Sequence, residues 1–255
     1  MKSRALRLLQ RARLLGPAYR LYERLLALRG GRAGVATDGL PVPPPELIVR
    51  VAGTPDAGWF LKGGRLGFES IRERVALEEL ESVLDFGCGC GRVTRYWLGV
   101  GPAVAGTDLD EDAVEWCRRN LPFARFEPNG LAPPLDFEDE SFDLVYGLSV
   151  FTHLPEELQL LWMRELGRVV TPGGRLLLTT HGERYRERLS EEERRRFDAG
   201  ELVVRWEDVA GTNLCAAFHP PAWVRERLAG ELAYVDFAAE GAKGNPHQDV
   251  HVFRK

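Results

Sequence analysis

The chain has 255 residues, 44% of them hydrophobic and 28% charged, and a formal net charge of −4. That is enough apolar chain for a sizeable α/β core, and the acidic balance excludes the general cationic pull of a nucleic-acid binder. The four cysteines, Cys88, Cys90, Cys117 and Cys215, have no C-x-x-C spacing, so neither a metal site nor a disulfide framework is expected; without a signal peptide or a long apolar span, the expected location is the cytoplasm.

Residues 2 to 32 hold nine basic residues and one acid, Glu23. Leu8, Leu15, Tyr19, Tyr22 and Leu26 fall near helical spacing, which predicts a basic amphipathic helix. Three uses stand open for residues 2–30. The helix packs on the domain or on a second subunit, which is the favoured reading. It lies on an anionic membrane surface, or it is an arginine-rich, acid-poor presequence. On the favoured reading, ligand binding does not need residues 1–30. Gly30 to Gly34 ends the helix, and Pro41 to Pro45 make a stiff linker. The chain therefore divides into an extension, 1–45, and a main domain, 46–255.

The segment Glu46 to Leu80 carries Trp59, Phe60, the pair Gly63-Gly64 and a helical pattern over Glu69 to Leu80. The two aromatics read equally as lid residues or as core. Next comes an apolar run, Val83, Leu84 and Phe86, that predicts a buried strand. It stops at Gly87-Cys88-Gly89-Cys90-Gly91, and Arg92 to Leu98 reads as helix. Strand, glycine turn and helix in that order make a nucleotide-type loop, because glycine permits tight turns and close approach of a ligand to bare backbone. The spacing is G-x-G-x-G, with Asp85 two residues before the first glycine, and not the G-x-G-x-x-G of dinucleotide folds.

A second strand, Ala103 to Thr107, ends at Asp108, which lies 21 residues after Gly87. That offset suits a carboxylate accepting from both hydroxyls of a ribose. Asp110 to Asp112 read as caps of a helix running to Asn120. Further strands are expected at Phe123–Phe126, Phe142–Leu148, Arg175–Thr180, Tyr234–Ala238 and Asp249–Phe253, with a helix over Pro155–Val169. Alternation of this kind predicts a Rossmann-like, doubly wound, mostly parallel seven-stranded α/β sheet. The stretch 183–230, between the fifth and sixth strands, is too long for a simple crossover and reads as a cap over a substrate.

The motifs together resemble class I S-adenosylmethionine-dependent methyltransferases. The glycine loop resembles their first motif, and Ser141 to Tyr146 their fourth strand. Leu166 to Leu178, centred on Thr171-Pro172-Gly173-Gly174, resembles the turn before their fifth strand. Ser149 to Leu154 is similar to a subset found among bacterial small-molecule and glycan-pathway enzymes. The resemblance implies S-adenosylmethionine as cofactor, with Asp85, Gly87, Cys88, Gly89 and Gly91 around its methionine part and Asp108 on the ribose. It implies Leu109 against the adenine, Asn129 or the backbone of Gly130 at the adenine amino group, and Ser149 and Phe151 near the sulfonium. The implied acceptor is a small molecule or glycan intermediate, methylated at oxygen by family frequency.

A transferring site often needs a base, and histidine suits neutral pH. His153 and His181 follow the fourth and fifth strands, at the strand ends where ligands bind in open sheets, and His247 precedes the last strand. His219 and His251 read as structural. The chain lacks the Asn/Asp-Pro-Pro-Tyr and Pro-Cys motifs of DNA-directed relatives, so no nucleic-acid substrate is expected. The alternative reading is a regulatory partner that binds S-adenosylmethionine without transferring its methyl group. The glycine spacing disfavours a dehydrogenase.

Overall fold

Strand β1 (Ser82–Phe86) forms because alternate residues find cores on opposite faces of one sheet. Leu84 and Phe86 pack with Val145, Leu176 and Leu178 beneath helix Glu156–Val169, while Val83 packs with Leu144, Tyr146 and Leu177 on the other face. The computed structural model describes residues 2–31, 34–245 and 247–255. The expected helix end at Arg32-Ala33 therefore lies outside the described residues, as do the side chains of Lys2, Arg4 and Arg7.

In chain order the helices of eight residues or more among the described residues are α1 (Lys2–Arg11), α2 (Leu15–Ala27), α3 (Pro45–Ala52), α4 (Ala57–Arg72), α5 (Glu111–Asn120), α6 (Glu156–Val169) and α7 (Glu191–Asp198). The strands that follow β1 are β2 (Ala103–Asp108), β3 (Ala124–Pro128), β4 (Phe142–Gly147), β5 (Val170–Thr180), β6 (Val203–Arg205), β7 (Ala216–Phe218), β8 (Ala233–Ala242) and β9 (Gln248–Arg254). The main sheet has seven strands in the order β3-β2-β1-β4-β5-β9-β8, parallel except for β9, which runs antiparallel to both neighbours. This is the doubly wound architecture the sequence predicts. The expected cap between the fifth and sixth strands of that sheet carries α7, opened by a capping box at Ser190, and its own antiparallel pair β6–β7.

Four local readings change. The single N-terminal helix is two helices, α1 and α2, because Arg13 turns into the left-handed region before Leu14. The helix expected over Glu69–Leu80 starts earlier, at Ala57, capped by Asp56, and ends at Arg72. Phe60 is fully buried in it and Trp59 half-buried, and neither lines the cleft described below. After the glycine loop there is no α-helix, only a 3-10 turn over Thr94–Trp97. Gly99, in the left-handed region, ends it before a second turn can form. The loop therefore offers no helix N-terminus to a ligand, and its own backbone and side chains make the floor.

The linker of the extension is tied to the main domain through Arg95. The Arg95 side chain is fully buried, and its guanidinium holds both oxygens of Asp38 at 2.7 and 2.9 Å and the carbonyls of Leu40 and Pro41. A buried guanidinium is tolerated only when its donors are satisfied, so the proline-rich linker is fixed to the residue four past Gly91.

Candidate active site

Strand order reverses between β1 and β4, so the crevice of this sheet opens between their C-terminal ends. A cavity of about 670 Å³ lies there. Gly87, Cys88 and Gly89 form part of its floor, with Asp85 and Asp108 at the ends of β1 and β2. Gly87, Gly89 and Gly91 all have φ between 53° and 76°, a region open to glycine without strain.

Two of these glycines also let neighbouring elements pack onto the loop. A Cβ on Gly89 would meet Val51 of α3 at 2.4 Å, and one on Gly87 would meet Val150 at 2.3 Å. Their bareness lets α3 and the β4 loop close onto the floor. Gly91 does not line the cavity, since a Cβ there would strike Leu121 at 2.3 Å beside Cys117. Its role is to seat α5 against the loop. Phe151 is also corrected: it is fully buried against Phe86 in the core and does not reach the cavity.

Asp108 accepts from the N–H of Gly89 at 2.7 Å and of Asp110 at 2.8 Å, one on each oxygen. Each oxygen keeps a lone pair, so the carboxylate is aimed and still able to accept two hydroxyls. Burial pushes its pKa up to about 6. Asp85 is pushed up to about 6 by burial as well, opposed by hydrogen bonds from Thr94 (2.6 Å) and Tyr146. Tyr146 is in turn fixed by the indole N–H of Trp97.

Past β2, Leu109 and Leu131 are both partly exposed and both line the cavity. Gly211, from the inserted region, comes so near that a Cβ on it would touch Leu109 at 2.8 Å and Leu131 at 3.2 Å. The three make an apolar slot suited to a flat ring. Asn129 and Gly130 line the wall beside it. The Asn129 side-chain carbonyl already accepts from the Thr107 hydroxyl at 2.7 Å, leaving one lone pair for a ligand, while its amide donates to the Gly130 carbonyl. Ser149, just past β4, has φ +66°, and its hydroxyl is held by Gln248 and Thr152. A non-glycine residue kept in that region by its neighbours is stored strain at a cleft.

His153 lines the cavity; His181 and His247 do not. The His153 Nδ1 lies 2.7 Å from the Cys215 carbonyl, which can only accept, so the proton sits on Nδ1 and Nε2 carries a lone pair. Burial lowers its pKa below the usual histidine value, so the ring is neutral at pH 7. His181 lies behind it, 6.4 Å away edge-on, with Nδ1 donating to Ala217 and its ring stacked on Tyr185 at 4.0 Å. Burial drops its pKa to about 3. Carbonyls two apart around β7 thus orient both imidazoles. His247 sits instead on the exposed β8–β9 turn, 2.5 Å from Glu240. Groups of His, Cys, Asp and Glu able to hold a metal are absent among the described residues.

The cavity has a roof that the sequence did not announce. Arg20, Glu23 and Arg24 of α2 line it, as do Arg50 and Val51 of α3 and Thr212 and Asn213 of the insertion. The parts are latched together. Asn213 donates to the Arg50 carbonyl at 2.6 Å, Gly211 N–H to the His153 carbonyl at 2.8 Å, and Gln10 to Asp208 at 2.8 Å. Arg50 also holds Asp110 and Asp112 at the start of α5. The expectation that residues 1–30 stand apart from the site is therefore corrected. A chain beginning at Val35 should still fold its sheet, but should bind the cleft's ligand about tenfold more weakly, the scale of one lost charged partner. Calorimetry on the truncated protein checks this, with unchanged affinity as the contrary result.

Residues 84–178 match a family model described as "Methyltransferase domain". The chain is 28% identical over 171 residues to the chloroplastic tocopherol O-methyltransferase of Arabidopsis thaliana, covering 62% of this chain and 44% of that protein. It is 36% identical over 110 residues to the fatty-acid O-methyltransferase of Mycolicibacterium smegmatis, covering 42% and 39%. The match spans less than half the length of these curated relatives. Among solved structures, a methyltransferase from Mesorhizobium loti that depends on S-adenosylmethionine superposes with a TM-score of 0.58 at 18% identity, over 74% of this chain and 98% of that one.

Proposed function

For a chain that carries a methyltransferase domain on the class I, S-adenosylmethionine-dependent fold, we propose that the cleft holds that cofactor on its floor and methylates an oxygen of a small-molecule acceptor beside His153. One observation carries the reading. A neutral imidazole with its lone pair on Nε2 shares a single cavity with an aimed carboxylate and an apolar slot. S-adenosylmethionine, when bound, supplies a methyl group already activated by its sulfonium.

The residues present fit such a molecule. Asp108 offers two free lone pairs for ribose hydroxyls, and Leu109, Leu131 and Gly211 bracket a slot for the adenine. Asp85, Gly87, Cys88 and Gly89 line the part of the floor left for the methionine portion. His153 then orients an acceptor hydroxyl and takes its proton on Nε2, while the Cys215 carbonyl keeps the ring in the needed tautomer. The roof excludes water and holds the acceptor close to the reacting centre. The names of two relatives, a tocopherol O-methyltransferase and a fatty-acid O-methyltransferase, support a hydroxyl- or carboxyl-bearing organic acceptor.

The test has two arms. Calorimetry with S-adenosylmethionine, S-adenosylhomocysteine, NAD and NADP should show binding of the first pair only. Release of S-adenosylhomocysteine over a panel of hydroxyl, carboxyl and amine acceptors, glycans included, should then be confined to oxygen acceptors. Turnover on amines alone would overturn the oxygen assignment, and cofactor binding with no turnover on any acceptor would favour a regulatory protein.

The raised pKa of Asp108 sets a pH dependence. A carboxyl held near 6 in the folded protein is neutral below that pH and then a poorer acceptor for two hydroxyls. Cofactor affinity should be flat above pH 7 and about tenfold weaker at pH 5, since one unit below the pKa leaves about a tenth of the sites ionised. Asp108→Asn should flatten this slope to the part that Asp85, held near the same pKa on the same floor, contributes. Affinity that holds constant from pH 5 to 7.5 would show that the carboxylate is not the cofactor's partner.

A further inference from the structure

Helix α2 has two faces. One faces inward with Leu15, Tyr19, Glu23 and Leu26, of which Leu15 is fully buried and Glu23 lines the cavity. The other carries Leu14, Leu21, Leu25 and Leu28, spaced seven, four and three apart, so that they form one stripe along the helix. All four are more than half exposed, as are Leu8 on α1 and Tyr22 at the stripe's edge. Elsewhere the exposed large apolar residues are scattered, and no described helix is long and apolar enough to cross a membrane.

The stripe is rimmed by cations. Within α2, at 100° per residue, Arg20 and Arg24, which also line the cavity mouth, fall along one side of it; Arg29 lies just past the helix end, Arg11 and Arg13 lie at the turn from α1, and all five are exposed. The sole acid between residues 2 and 32 is Glu23, and it is turned to the cleft. An apolar ridge with exposed arginines beside it and at both its ends is the arrangement that lies in a headgroup layer. Leucines enter the acyl boundary, and guanidinium groups reach outward to phosphates. The same stripe on a second copy of this chain would bring arginines together with no acid on the outward face of either helix to answer them. The charge arrangement selects the occupant.

We infer that the leucine stripe of α2 docks this protein on an anionic lipid surface, with the exposed arginines around it contacting lipid phosphates. This docking does not depend on the assignment of the reaction. Because the inward face of α2 lines the cavity, it sets the cleft's mouth next to the bilayer.

Flotation with vesicles of phosphatidylglycerol and phosphatidylcholine tests it on the full chain. The protein should float with mixed vesicles in 0.1 M salt. The bound fraction should fall about tenfold or more on pure phosphatidylcholine, and likewise in 0.5 M salt, because the arginine contribution is screened. Leu21→Ser with Leu25→Ser should abolish flotation while leaving the melting temperature in place, since both side chains are exposed. Arg24→Glu with Arg29→Glu should do the same through charge alone. Failure of the unaltered protein to float, or equal flotation of the serine variant, overturns the inference. A concentration-dependent dimer by light scattering that the serine variant loses would assign the stripe to a second copy instead, and also overturns it.

Discussion

His153→Ala should lower turnover by about 10²-fold or more, while S-adenosylmethionine affinity stays within about twofold, because the acceptor and not the cofactor loses its partner. The split rests on geometry. His153 Nε2 is unbonded on the cavity wall, whereas the floor carboxylate is held by Gly89 and Asp110. The pH profile separates a base from a mere spacer. Burial keeps the imidazole neutral, so at saturating cofactor turnover of the native enzyme should decline only toward acid pH, through a pKa lower than an ordinary histidine's. His153→Gln can still hydrogen-bond an acceptor but cannot take its proton at that pKa. If it restores native turnover, His153 positions the acceptor and does nothing more. His181, which shares the carbonyl edge but not the cavity, should affect turnover only through the placement of His153.

Gly64→Val should cost about 3 kcal/mol or more of stability and weaken cofactor binding with it. Helix α4 lies so close to the glycine loop that a Cβ on Gly64 would sit 1.9 Å from the Arg92 carbonyl oxygen and 2.9 Å from Tyr96. The obstacle is backbone, which cannot rotate away as a side chain would. Accommodating it means moving α4 outward, and with it Arg92, whose guanidinium holds Asn245 of the β8–β9 turn at 2.8 Å. For a protein of this size that loss is a fall of roughly 6–12 °C in melting temperature. Gly31, with open space around it, is the control, and its substitution by alanine should change little. A Gly64 variant melting with the native protein would mean that α4 rides loosely on the loop.

The sheet was legible because its signals are local. Apolar runs buried on both faces, as at Val83–Phe86 and Leu144–Tyr146, have no stable place except the middle of a parallel sheet. Asp108 was legible for the same reason, being a carboxylate where a strand ends. The turn after the glycine loop was misread, because Arg92 to Leu98 has helical composition but is stopped by Gly99. The histidines could be ranked only by strand ends. What separates His153 from His181 is which carbonyl of the β7 region each faces, a long-range fact with no trace in spacing. The roof was illegible for a like reason. Val51 and Gly211 are ordinary residues, and they matter only because Gly89 and Leu109 lie beneath them.

That roof divides the protein's labour between two kinds of sequence. The floor residues, Asp85 to Gly89 and Asp108, lie within the stretch 84–178 that the family model matches. The covering pieces, α1 to α3 and the loop through Asn213, come from outside that stretch and meet through a few hydrogen bonds such as Asn213 to Arg50 and Gln10 to Asp208. On the reading proposed above, exchanging the covering pieces should change the choice of acceptor while leaving the glycine loop in place. Grafting α1 to α3 together with the loop 206–213 onto a related floor is the minimal transplant, because those pieces latch to one another and each is incomplete alone.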